Sequence, residues 1–132
     1  MADRSQGILL DSSVIIAHFR GKLDLFQLVM PDEPLFIPLT VLGELLKGAL
    51  KSSASEKHQM QIKAMLKIVA VITPDSATAA SYARTAVALE AKGQIIPEND
   101  IWIAAVALEL DMPLATRDSH FERVDGLALL RW

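Results

Sequence analysis

The chain has 132 residues, no cysteine and a formal net charge of −3, with 13 basic and 16 acidic residues. That length suits one domain around one core, and the missing cysteines exclude a thiol nucleophile, a zinc–thiolate site and disulfides, which fits a reducing interior. Apolar residues make up 52% and mean hydropathy is +0.32, yet no apolar run approaches the roughly 20 residues of a membrane helix. The apolar surplus needs cover, so a homodimer or partner interface is expected. The polar start, Met1-Ala2-Asp3-Arg4-Ser5-Gln6-Gly7, has no signal-peptide core, and a cytoplasmic protein is expected.

Ile8-Leu9-Leu10 reads as a short buried parallel strand. Ser12 or Ser13 caps a helix from Val14, and Gly21 ends it. Residues 23–30 read as a second helix, stopping before Pro31. Leu35-Phe36-Ile37 is the second strand, ended by Pro38, and Thr40 caps a helix running to about Leu50. Ser52-Ser53-Ala54-Ser55 is a turn or helix start, with a helix following to about Lys67. Val69-Ala70-Val71-Ile72 is β-branched and reads as the third strand. Pro74-Asp75 opens an alanine-rich helix to Lys92, closed by Gly93. Residues 94–97 form a loop, residues 98–110 a helix, and Asp111-Met112-Pro113 breaks it. Leu114-Ala115-Thr116 is the fourth strand, and residues 127–130 give a fifth.

Strands alternating with helices predict right-handed βαβ crossovers, so a three-layer α/β/α fold with a mostly parallel sheet of four to five strands. No repeat, low-complexity tract or linker divides the chain, so a single domain over residues 1–132 is expected.

On this order the four acids Asp11, Glu44, Asp100 and Asp118 fall where strands end or helices begin, at one crevice. Each also has a local explanation. Asp11 caps a helix; Glu44 faces solvent; Asp100 sits favourably near a helix N-terminus; Asp118 makes a turn. Glu44 is one residue too late for a capping box with Thr40, and it lies between Leu42 and Leu45-Leu46, where an unpaired carboxylate is costly. Crowded carboxylates stay ionised together only beside a positive charge, and a hard ion such as Mg²⁺ favours oxygen ligands. Such a site supports phosphodiester hydrolysis without a covalent nucleophile. Net charge does not oppose a nucleic-acid substrate: without these four acids, 13 basic and 12 acidic residues remain.

The segments around these acids resemble PIN-domain ribonucleases. Leu10-Asp11-Ser12-Ser13-Val14-Ile15 resembles their first motif, Val41-Leu42-Gly43-Glu44-Leu45 the second and Asn99-Asp100-Ile101-Trp102-Ile103-Ala104-Ala105 the third. Leu114-Ala115-Thr116-Arg117-Asp118-Ser119-His120-Phe121 resembles the fourth. Order and spacing agree over nearly the whole chain. Its length is most similar to VapC-type toxins of prokaryotic toxin–antitoxin pairs. The resemblance implies an endoribonuclease dependent on Mg²⁺ or Mn²⁺, with Asp11, Glu44, Asp100 and Asp118 as catalytic metal ligands, and a cognate antitoxin that holds it inactive. One departure is Ser13, where the first motif usually has Asn, a residue of longer reach.

Glu44, Lys47 and Lys51 fall on one helical stripe, which either follows an RNA backbone out of the site or is an ordinary solvated face. Arg117 beside Asp118 is a second candidate phosphate contact, and Thr116 a support for the site. His18, His58 and His120 show no zinc spacing, and His120 reads as structural or superficial. Trp102 reads as core rather than as a stacking platform. The stretch over residues 14–30 is apolar on more than one face, for core packing or for an antitoxin or dimer contact. Two other functions compete: a standalone PIN nuclease in RNA processing, and a non-catalytic regulatory α/β domain whose acidic pocket binds Mg²⁺. The second expects an acidic pair at the first strand and a lysine after a later one. Here Leu9-Leu10 precede Asp11, and no lysine follows the fourth strand.

Overall fold

In a computed structural model describing residues 3–132, five strands alternate with helices: β1 (Ile8–Leu10), β2 (Leu35–Pro38), β3 (Ala70–Ile72), β4 (Leu114–Thr116) and β5 (Leu129–Arg131). They form one sheet in the order β3-β2-β1-β4-β5, and every neighbouring pair is parallel. Met1 and Ala2, the first residues of the polar start, lie outside the described residues. β1 is fully buried, as its uninterrupted Ile-Leu-Leu requires of a central parallel strand. Gly7 leads into it with φ +116; a Cβ there would stand 2.6 Å from the Phe36 ring, so the close approach of β2 demands glycine.

The helices are α1 (Ser12–Phe19), α2 (Leu25–Leu28), α3 (Leu39–Lys51), α4 (Ser55–Met65), α5 (Ser76–Ala91) and α6 (Glu98–Leu110). With the sheet between them they make the expected three-layer arrangement. α5 starts at a complete capping box, in which the Asp75 carboxylate accepts from the Ala77 and Thr78 amides and Thr78 Oγ1 accepts from the Asp75 amide. α6 ends on Asp111 in the left-handed conformation, φ 52. It packs against α5 through a buried bond from Ser81 Oγ to Ala105 O, 2.8 Å.

Several boundaries differ from the sequence reading. Neither Ser12 nor Ser13 caps the first helix: α1 already begins at Ser12, with the extended backbone of Asp11 in the capping position. The second helix is a single turn, because the Asp24 carboxylate caps it at the Phe26 amide and Val29 is already extended. Thr40 is not a cap: α3 begins at Leu39, two residues before a Thr40 cap would start it, with Pro38 supplying the extended backbone of the capping position. β5 begins two residues late, at Leu129, after a turn through Gly126 at φ +78. A one-turn 3-10 helix, Ser119–Arg123, also follows β4.

The apolar stretch over residues 14–30 divides. Val14, Ile15, Ala17 and Leu25 are core, whereas Phe26 is 56% and Met30 63% exposed. Phe26 lines a groove of about 260 Å³ with Ile15, Phe19, Met65 and Ile68, between α1, α2 and α4. Among the described residues, no helix is long and apolar enough to cross a membrane.

Candidate functional site

The chain lays β2 and β3 on one side of β1, then crosses to place β4 on the other. That reversal opens a crevice at the carboxyl ends of β1 and β4. Asp11 leaves β1 there, its amide donating to Ala115 O of β4 at 3.0 Å. Asp118 stands two residues beyond the end of β4, Glu44 in the second turn of α3 after β2, and Asp100 in the first turn of α6.

Asp11 occupies the capping position of α1, yet its side chain makes no capping bond. Its buried carboxylate turns into the crevice instead, where Oδ2 accepts from Ser13 Oγ and from Thr116 Oγ1, each at 2.8 Å. Each hydroxyl in turn accepts a backbone proton, Ser13 Oγ from the Arg117 amide and Thr116 Oγ1 from the Asp118 amide, both at 3.0 Å. Those amides fix the direction in which the hydroxyls donate. Ser13, despite its short side chain, therefore reaches Asp11. Asp118 caps the 3-10 turn, Oδ1 accepting from the His120 amide at 2.9 Å. The turn folds the His120 ring back, so that Nδ1 lies 2.9 Å from Asp100 Oδ2 and 3.3 Å from Asp118 Oδ1.

Burial foremost pushes the Glu44 carboxyl above its ordinary range, and the charges of Asp11 and Asp100 push it further; Ser12 and Asn99 partly offset them. Its Oε1 is buried with no hydrogen-bond partner. Asp100 is also raised, by burial first; the bond to His120 opposes this, and the charges of Asp118 and Asp11 add to it. Glu44 thus feels the charges of Asp11 and Asp100, and Asp100 those of Asp118 and Asp11. Among the described residues, no lysine or arginine pairs with any of them, and His120 is the one basic group in contact. Ligating atoms of Asp100, Asp118 and His120 lie within 4.8 Å of one another. A hard divalent cation fits this donor set, and it would satisfy the Glu44 oxygen that the protein leaves without a donor.

The remaining sequence candidates divide. Ser13 and Thr116 are at the centre. Lys47 and Lys51 are exposed on α3. Arg117 points its guanidinium elsewhere, Nη1 donating to Trp132 O at 2.9 Å. Trp102 is half-buried and stacks on Tyr82, with ring centroids 4.1 Å apart and planes 13° from parallel. His120 is the residue that sequence reasoning set aside. The available signal was its place two residues after Asp118, where a tight turn returns a side chain toward the strand end.

A family model described as PIN domain matches residues 8–127. The chain is 31% identical over 122 residues to Ribonuclease VapC5 of Mycobacterium tuberculosis, with 91% of this chain and 89% of that protein covered. It is 28% identical over 129 residues to Ribonuclease VapC1 of Haemophilus influenzae, with 94% and 96% covered. Among solved structures, VapBC2 from Rickettsia felis, bound to a DNA fragment from its promoter, matches with a TM-score of 0.88 at 26% identity, covering 95% of this chain and 98% of that chain.

Proposed function

Because this chain belongs to the PIN-domain family, we propose that it is a single-domain endoribonuclease dependent on a divalent metal and the toxin of a toxin–antitoxin pair. One observation carries the chemistry: four carboxylates share a crevice without lysine or arginine, and Glu44 Oε1 is buried there with no donor. Asp11, Glu44, Asp100 and Asp118 are the residues that would hold Mg²⁺ or Mn²⁺. When bound, the ion supplies Lewis-acid stabilisation of the phosphate charge and lowers the pKa of a water. Ser13 and Thr116 hold the Asp11 carboxylate in a fixed direction, so that it meets the cation without rearranging. The attacking water becomes bonded to phosphorus as the P–O bond of the leaving nucleotide breaks; the acids take the proton that water releases, and the leaving oxygen picks up a proton from them or from solvent. Lys47 and Lys51, on the same stripe of α3 as Glu44, would follow the RNA backbone outward; Arg117 would join them only by leaving Trp132.

The toxin reading rests on the likeness to ribonucleases named VapC and to the VapBC2 complex. Its antitoxin would lay an apolar segment in the groove beside Phe26 and carry an arginine or lysine toward Asp11 and Asp100, competing with the metal by charge. A homodimer in the cytoplasm completes the reading, with the exposed apolar residues shared between the two interfaces.

The test is cleavage of RNA by the purified chain carrying Asp11→Asn or Asp100→Asn. Amides are nearly isosteric but poor ligands for hard cations, so each should lower the rate roughly a thousandfold, about 4 kcal/mol, with the fold intact. Near-normal cleavage by either folded variant removes the assignment. Equal growth arrest with and without the neighbouring upstream gene product, together with failure to co-purify, removes the antitoxin and leaves a standalone RNA-processing nuclease.

A further inference from the structure

His120 brings a nitrogen into what is otherwise an all-oxygen crevice. Its Nδ1 faces two carboxylate oxygens, Asp100 Oδ2 at 2.9 Å and Asp118 Oδ1 at 3.3 Å. Adjacent ligands of a six-coordinate ion with bonds of about 2.1 Å stand about 3 Å apart. The ring is therefore already spaced from both acids as a neighbouring ligand would be. It is also held in place. The His120 amide is bonded to Asp118, and the next residue, Phe121, is fully buried and anchors the turn.

We propose, building on the metal-dependent reading above, that His120 Nδ1 is a direct ligand of the divalent ion and that this nitrogen tilts the site toward Mn²⁺ over Mg²⁺. Both ions suit oxygen donors, but Mg²⁺ holds to them strictly, whereas Mn²⁺, as a transition ion, accepts an imidazole nitrogen more readily than Mg²⁺ does. With the ion bound, Nδ1 turns its lone pair to the metal and the neutral ring carries its proton on Nε2. The hydrogen bond to Asp100 is then replaced by a shared cation. A site of carboxylates alone has no comparable reason to discriminate between the two ions.

The experiment uses the full chain loaded with Mn²⁺ and read by pulsed electron paramagnetic resonance, with Mn²⁺ and Mg²⁺ affinities measured by calorimetry. The expected result is a ¹⁴N coupling on the bound Mn²⁺ that changes to ¹⁵N when the histidines are labelled. His18 and His58 are engaged elsewhere, at the Leu25 amide and at Gln61, so the label reports His120. His120→Gln should abolish the coupling and weaken Mn²⁺ roughly tenfold more than Mg²⁺. Should that variant not fold, the labelled wild-type spectrum decides alone. Mn²⁺ bound to the wild type without nitrogen coupling overturns the inference but keeps the metal site, and reduces His120 to a hydrogen-bonding support for the two acids. A coupling that survives His120→Gln overturns it equally. Failure of the wild type to bind either ion overturns both this inference and the metal-dependent reading beneath it.

Discussion

Glu44→Gln should reverse the order of stability between metal-free and metal-loaded protein. The substitution keeps the shape of the side chain and removes the charge whose Oε1 is buried without a donor. The amide still leaves a polar atom there without a partner, but it ends the burial of a charge beside Asp11 and Asp100, a relief of about 1 kcal/mol for this half-buried position. In a domain of 132 residues that is a rise of about 3 °C in Tm when a chelator is present. Metal inverts the comparison. At a hundred times its Kd, an ion that binds only the folded state adds about 2.7 kcal/mol to the wild type, or about 8 °C. If Glu44 is a ligand as proposed, the variant lacks one carboxylate and should gain less. Scanning calorimetry in EDTA, and again in Mg²⁺ or Mn²⁺ at matched ionic strength, should show the two proteins exchanging places. A variant that melts below the wild type in EDTA, or one that gains the full metal shift, refutes the reasoning.

Stability without metal should depend on pH with a definite sign. Glu44 and Asp100 are raised from ordinary values of 4.5 and 3.8, so the folded chain keeps these protons to higher pH than the unfolded chain. Their contribution is full below those ordinary values and is lost as pH rises through the raised ones; denaturant titrations in EDTA should show the decline, and divalent metal should flatten it. Replacing Lys47 and Lys51 together by Gln, in an Asp11→Asn background that spares the RNA, should weaken RNA binding similarly for all sequences. The logarithmic salt slope should fall by about 1.4, two single-strand phosphate contacts at about 0.7 each; an unchanged slope returns both lysines to a solvated face. Phe26→Asp, which sets a charge in the apolar groove, should abolish co-purification with the antitoxin and leave metal-dependent cleavage by the isolated chain unchanged. Retained co-purification would move the antitoxin off this groove.

Where a single physical rule governed a segment, the sequence was legible. β1, β4 and α6 have the boundaries expected for them, because Ile8-Leu9-Leu10 and Leu114-Ala115-Thr116 are too apolar to lie anywhere but inside a parallel sheet, and Pro97 and Asp111-Met112-Pro113 bracket α6. Where two rules competed, it was less so. At Thr40 a good capping residue lost to Pro38, whose backbone was already extended at the strand end. The second helix lost its ends because Asp24 captured the Phe26 amide locally. The division of residues 14–30 between core and groove was not readable, since burial there depends on α4, a helix some thirty residues further along the chain. His120 was hidden for a related reason: its approach to Asp100 is a contact across 20 residues, made by a 3-10 turn that has no apolar period to announce it.

The four acids are not equivalent, and the difference bears on what the crevice can accept. Asp11 is provided for by the protein itself, since Ser13 and Thr116 both donate to its Oδ2 and are themselves fixed by backbone amides. Asp100 and Asp118 share His120. Glu44 Oε1 has nothing, although α3 carries it into the same crevice, where Asp11 and Asp100 raise its pKa. A folded protein rarely leaves a buried oxygen without a donor unless something else supplies the partner. The two agents proposed to enter the crevice, a divalent cation and a basic antitoxin side chain directed at Asp11 and Asp100, would both bring positive charge among these acids. On that proposal they compete for the same acidic crevice, and inhibition by the antitoxin should weaken as metal concentration rises, without any change in the binding of its apolar segment to the proposed groove.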